Sequence, residues 1–149
     1  MSGIDLVKQL MAAMETGDFA TMSRVLSDDF KLEGPTPQPA SKAEYIGLMQ
    51  VLTAAFPDWE FNPIDWSEQG DEVHETHNIT GTHTGTLNLP MLLPGPVAAT
   101  GVKFKQYPEP SVWTIKNGQV RRAVVTHPAG QPSGVANLLR QIGVPLPGM

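Results

Sequence analysis

The first third of the chain alternates apolar and polar positions at helical spacing. Ser2-Gly3-Ile4-Asp5 reads as a capping box, and Ile4, Val7, Leu10, Met11 and Met14 follow on one face. Gly17 is a plausible stop, and Asp18 caps a second short helix bearing Phe19, Met22, Val25 and Leu26. Residues 30–33 suit a short strand. The stretch Gly34-Pro35-Thr36-Pro37-Gln38-Pro39 admits neither helix nor central strand and predicts a stiff loop. Ser41 with Glu44 makes another capping box, ahead of Tyr45, Leu48, Met49, Leu52 and Phe56. Pro57-Asp58 closes that third helix.

From there the period shortens. Trp59 and Phe61 alternate, Asn62-Pro63 interrupts, and Ile64 and Trp66 resume one place out of step, as in an edge strand with a bulge. Gln69-Gly70-Asp71 is a turn. Residues 72–84 read as one long strand with Val73, Glu75, His77, Ile79, Gly81 and His83 on one side. Thr76, Asn78, Thr80 and Thr82 take the other. Residues 88–101 form a proline-broken apolar loop. Strands follow over 102–107, 111–116 and 119–127, with Asn117-Gly118 a strong hairpin signal. A two-residue turn pairs Lys116 with Gln119, Ile115 with Val120, Trp113 with Arg122 and Val112 with Ala123. Both hairpin faces are then mixed, so helices cover one and a second subunit is expected to cover the other. Ser133 caps a last helix with Val135, Leu138, Leu139 and Ile142, stopped by Gly143 and Pro145. Helices, then strands, then one helix make an α+β fold, a single domain over residues 1–149.

Composition narrows the chemistry. The chain has 149 residues, 40% of them hydrophobic and 17% charged, as in an ordinary globular domain. With no cysteine, disulfides, thiolate catalysis and cysteine-ligated metals are excluded. A net charge of −5 disfavours nucleic acid. No secretory signal or membrane span is visible, and a cytoplasmic location is expected. Fourteen of the fifteen acids fall at or before Glu75, while six of the ten bases fall at or after Lys103. Strands from the two halves are therefore expected side by side. His74 and His77 point to opposite faces of a strand. His77 and His83 share a face but lie roughly 20 Å apart on a straight one, so neither pair is a ligand set. Nucleophile elbow, P-loop and dinucleotide fingerprint are all absent, which leaves acid–base work or plain binding.

Phe56-Pro57-Asp58, Gly70-Asp71, Gly81-Thr82-His83-Thr84-Gly85, Gly118-Gln119-Val120 and Leu139-Arg140-Gln141-Ile142-Gly143 together resemble the SnoaL-like polyketide cyclases of the nuclear-transport-factor-2-like superfamily. The resemblance spans nearly the whole chain. It implies a cystatin-like cone: a curved antiparallel sheet wrapped around helices, an internal apolar cavity, and a homodimer built on the sheet. It also implies ring closure by intramolecular aldol condensation on a small apolar carbonyl ligand, with no metal or cofactor, or in a rival reading, binding of such a ligand without catalysis. The family's acid/base aspartate stands near the end of the last strand. Here that region reads Val124-Val125-Thr126-His127-Pro128, and no acid follows Glu109. His127, its orientation set by Pro128, is the first candidate for the missing role, and Glu75 and His77 are the next. His83, Tyr45, Trp59 and Trp113 are candidate ligand contacts, with a hydrogen bond at the sheet edge the plainer reading of His83 and core packing that of the aromatics. Met91, in Met91-Leu92-Leu93 between two prolines, suggests an apolar lid or a dimer contact.

Overall fold

The computed structural model describes residues 1–127 and 134–144. Its helices begin where the side chains can satisfy their free N–H groups. Helix α1 (Gly3–Thr16) starts in a reciprocal box: Asp5 N–H donates to Ser2 Oγ, and Ser2 N–H donates to the Asp5 carboxylate. It ends on Gly17 at φ 78°, a left-handed conformation that glycine tolerates. Asp18 caps α2 (Phe19–Val25), and Ser41 with Glu44 caps α3 (Lys42–Ala55). The last helix, α4, runs over Gly134–Gln141. Ser133, Pro128 and Pro145 lie outside the described residues.

Among the described residues six strands form the main sheet, in the order β2-β1-β8-β7-β4-β3. They are β1 (Leu26–Glu33), β2 (Ala40–Ser41), β3 (Ile64–Gln69), β4 (Glu72–His77), β7 (Glu109–Lys116) and β8 (Gln119–Val125). Strands β1 and β8 pair in parallel, and every other neighbouring pair is antiparallel. The acidic half meets the basic half at the parallel pair, where Arg122 lies 2.6 Å from Glu33 and Arg121 lies 3.4 Å from Asp29. The sheet curves around a core of Leu10, Met14, Met22, Phe30, Phe56, Phe104 and Trp113, making an α+β cone. Among the described residues no helix is long and apolar enough to cross a membrane.

Two strand expectations need correction. The run 72–84 is two strands: β4 ends at His77, and β5 (Thr80–Thr82) pairs with β6 (Lys103–Lys105) in a separate two-stranded sheet. Between them Asn78 N–H donates to the Phe61 carbonyl, which draws the chain out of the first ladder. The inward alternation survives the break, so Val73, Glu75, His77, Ile79, Gly81 and His83 are all buried. In the β7–β8 hairpin the first two pairs form as predicted. A bulge then places Trp113 opposite Ala123 and Val112 opposite Val124. Strict alternation would turn one of the consecutive Arg121 and Arg122 inward, whereas the extra residue leaves both exposed.

Candidate acid–base site

Strands β4 and β7 bring the polar groups together. Their register sets His77 opposite Glu109, Glu75 opposite Ser111 and Val73 opposite Trp113. Glu75, His77 and Glu109 are each no more than 4% exposed. His77 Nδ1–H donates to Glu75 Oε1 at 2.6 Å, and Trp113 Nε1–H reaches the same oxygen at 3.4 Å. A carboxylate only accepts, so this pairing assigns the proton to Nδ1 and leaves Nε2 free. Nε2 lies 3.8 Å from Glu109 Oε1. The imidazole also packs edge-on against Phe61 at 5.8 Å between centroids. Burial pushes the Glu109 carboxyl up to about 7, with His77 opposing the shift and Glu75 adding to it. Glu109 is therefore held neutral more readily than an ordinary carboxyl, and it lies beside a histidine that contacts a second carboxyl.

This cluster stands at the wall of a cavity of about 50 Å³. His77 and Glu109 line it and Glu75 sits behind them. Apart from these two and Gln106, the wall is almost wholly apolar or aromatic. Helix α3 contributes Tyr45, Leu48, Met49 and Leu52, the sheet contributes Trp113 and Val125, and α4 contributes Val135 and Leu138. Burial first, and the Glu75 charge second, hold the Tyr45 hydroxyl far above its ordinary range, so it stays a neutral donor. Sites for drug-sized ligands run to about 300–1,000 Å³. The cavity is smaller than that and partly open to solvent.

Of the residues singled out in the sequence, Glu75 and His77 meet, and Tyr45, Trp59 and Trp113 line the cavity. Three others are elsewhere. His127 is exposed beyond the end of β8, where Thr126 gives both its N–H and its hydroxyl to the Pro110 carbonyl. It does not join the cluster. Met91 is 74% exposed and outside the cavity wall. His83 is fully buried but faces another part of the core: its Nδ1 accepts the Thr100 N–H at 3.2 Å and its ring packs on Phe56. Burial holds the His83 ring below its ordinary range, against an opposing backbone bond at Gly85. Glu109 is nearly silent in the sequence. Its one signal was isolation: the sole acid after Glu75, held between Pro108 and Pro110. Glu109 stands at the start of β7, opposite His77.

Residues 7–123 match the SnoaL-like domain, and the chain belongs to that family. No curated protein matches it. Among solved structures it is similar to IdmH from Streptomyces antibioticus, provisionally named a polyketide cyclase, at 23% identity over 97% of this chain and 100% of that one, TM-score 0.70. It is also similar to AclR from Streptomyces galilaeus, provisionally named a hydroxylase, at 19% identity over 93% of each chain, TM-score 0.68. TsrD from Streptomyces laurentii shares 16% identity over 93% of this chain and 92% of that one, TM-score 0.68. At these identities the likeness is one of fold, and two different activities are attached to it.

Proposed function

We propose that the protein is a cofactor-independent acid–base catalyst that enolises a small apolar carbonyl compound of polyketide type, as a cyclase or isomerase. The observation that carries this reading is the placement of His77 between two buried carboxyls, Glu75 and Glu109, on the wall of an otherwise apolar cavity. Burying two carboxyls costs several kcal/mol per charged group. A module that only bound apolar ligands would gain nothing from that expense.

In the proposed step His77 Nε2 takes a proton from the carbon next to the carbonyl. Glu75 accepts the Nδ1–H bond throughout and stabilises the imidazolium that forms. As the C–H pair moves into the new C=C bond, the carbonyl oxygen takes the proton of neutral Glu109, leaving an enol and a Glu109 carboxylate. For ring closure the enol carbon attacks a second carbonyl of the same molecule. That oxygen is protonated by the His77 imidazolium, and the enol O–H returns its proton to Glu109. For isomerisation His77 instead returns the proton to a different carbon.

The test is exchange of solvent deuterium into 2-tetralone, a compact apolar ketone with an acidic C–H. The wild-type protein is expected to accelerate exchange, and His77→Gln to lose about 10²-fold or more of that acceleration. Full acceleration in a folded His77→Gln protein would remove the proposal.

A further inference from the structure

Among the described residues two buried ring nitrogens have no hydrogen-bond partner, Trp59 Nε1 and His83 Nε2. An N–H taken out of water without an acceptor forfeits its hydration and gains nothing in return, so such an atom calls for an explanation. His83 does not line the cavity, whereas Trp59 does. The other N–H-bearing side chains of the wall find acceptors within the protein: His77 Nδ1–H and Trp113 Nε1–H meet Glu75, and Gln106 Nε2 donates to the Gly134 carbonyl. Around the Trp59 indole stand Phe56, Phe61 and Phe104, at 6.2, 5.9 and 5.6 Å between centroids, and none of them offers a lone pair. The backbone fixes its place. Trp59 N–H donates to the Phe56 carbonyl at 3.0 Å, and Glu60 bridges to Thr80 directly after it.

We infer that the Trp59 indole N–H is a ligand-binding donor, and that it takes the oxygen of a second carbonyl on the substrate. The inference rests on the proposed carbonyl chemistry and narrows it. Trp59 and His77 both line the cavity and both pack on Phe61, their ring centroids 5.9 and 5.8 Å from its own. One aromatic ring links the two, a spacing that suits two oxygens of one small molecule: the first at Glu109 and His77, the second at Trp59. In mostly apolar surroundings such a bond is stronger than in water. The indole keeps its proton throughout. It draws electron density toward the oxygen and leaves the proton transfers to His77 and Glu109. Isomerisation needs one oxygen only. A donor for a second one selects ring closure, the carbonyl held by Trp59 being the one that the enol carbon attacks.

The test compares 2-(3-oxobutyl)cyclohexanone with 2-butylcyclohexanone, which share a carbon skeleton and differ in the side-chain carbonyl. Neither carries an aromatic ring, so a shift of the indole N–H resonance reports a hydrogen bond and not a ring current. In the wild-type protein the Trp59 indole resonance, assigned by triple-resonance spectroscopy, is expected to move downfield with the diketone and to stay nearly in place with 2-butylcyclohexanone. Trp59→Phe keeps an aromatic ring and removes the donor. It is expected to lower the ratio of diketone to monoketone affinity by about three- to tenfold. A still resonance under saturating diketone, an unchanged ratio in a folded Trp59→Phe protein, or no binding of the diketone would overturn the donor role. The spectroscopic reading is made on the wild-type protein and stands even where the variant fails to fold. 2-Tetralone has one oxygen and separates the two readings. Where its exchange persists while the resonance stays still, the Trp59 role alone fails; where the resonance moves but exchange is absent, the carbonyl chemistry fails and the donor stands.

Discussion

Glu109 gives the site its pH dependence. Unfolded, its carboxyl releases a proton near 4.5, whereas in the folded chain burial holds it until about 7. Below the lower value both states are protonated and the group does not favour unfolding. As pH rises between the two, only the unfolded chain gives up its proton, and stability falls by an amount on the order of 3 kcal/mol, complete above pH 7. Glu109→Gln has nearly the same shape and no proton to lose. Its stability relative to wild type, from urea unfolding at pH 4.5 and pH 8, is expected to rise by about that amount over the interval; a constant difference would contradict the assignment. Glu75 and His77 were legible from the sequence because a period of two binds them to one face. Glu109 was not, because its partner is fixed by the β4–β7 register across more than thirty residues of sequence, with no local pattern to set it. His127 was singled out by its place in the linear order; β8 ends at Val125, and His127 is exposed beyond it.

At the scale of elements, two of the short words that carried the resemblance turn out to grip each other. Thr82 donates both its N–H and its hydroxyl to the Asp58 carboxylate at 2.7 Å. Thr84 and Gly85 N–H both donate to the Ala55 carbonyl, and His83 packs on Phe56. Phe-Pro-Asp and Gly-Thr-His-Thr-Gly therefore form a clamp between the end of α3 and β5, and His83 belongs to this clamp rather than to the cavity. Gly85 is required there by proximity, since a Cβ would stand 2.2 Å from the Ala54 carbonyl oxygen. Gly85→Ala is expected to destabilise the protein by about 1–3 kcal/mol through overpacking. An unchanged urea midpoint would show the clamp to be loose. The three helix starts were readable because caps are local chemistry. The β7–β8 bulge was not, because nothing local to Asn117-Gly118 says that both arginines must stay in water.

The described residues combine a SnoaL-like cone, a mostly apolar interior and a buried acid–base cluster. The fold class and the helix starts were legible, since capping, period and turn residues agree along the chain, whereas the parallel β1–β8 pairing, the break after His77 and the hairpin bulge were not. What the site does depends on whether it binds a reacting species more tightly than a ground state, which separates a catalyst from a binding module. 2-Naphthol is the aromatic counterpart of the enol of 2-tetralone, with the same bicyclic outline and an O–H where the ketone has C=O. The decisive measurement is the ratio of their dissociation constants. Wild-type protein is expected to hold 2-naphthol at least about tenfold more tightly than 2-tetralone, and His77→Gln to lose the preference. Equal affinity for the two in the wild-type protein, or a preference undiminished in His77→Gln, would contradict it.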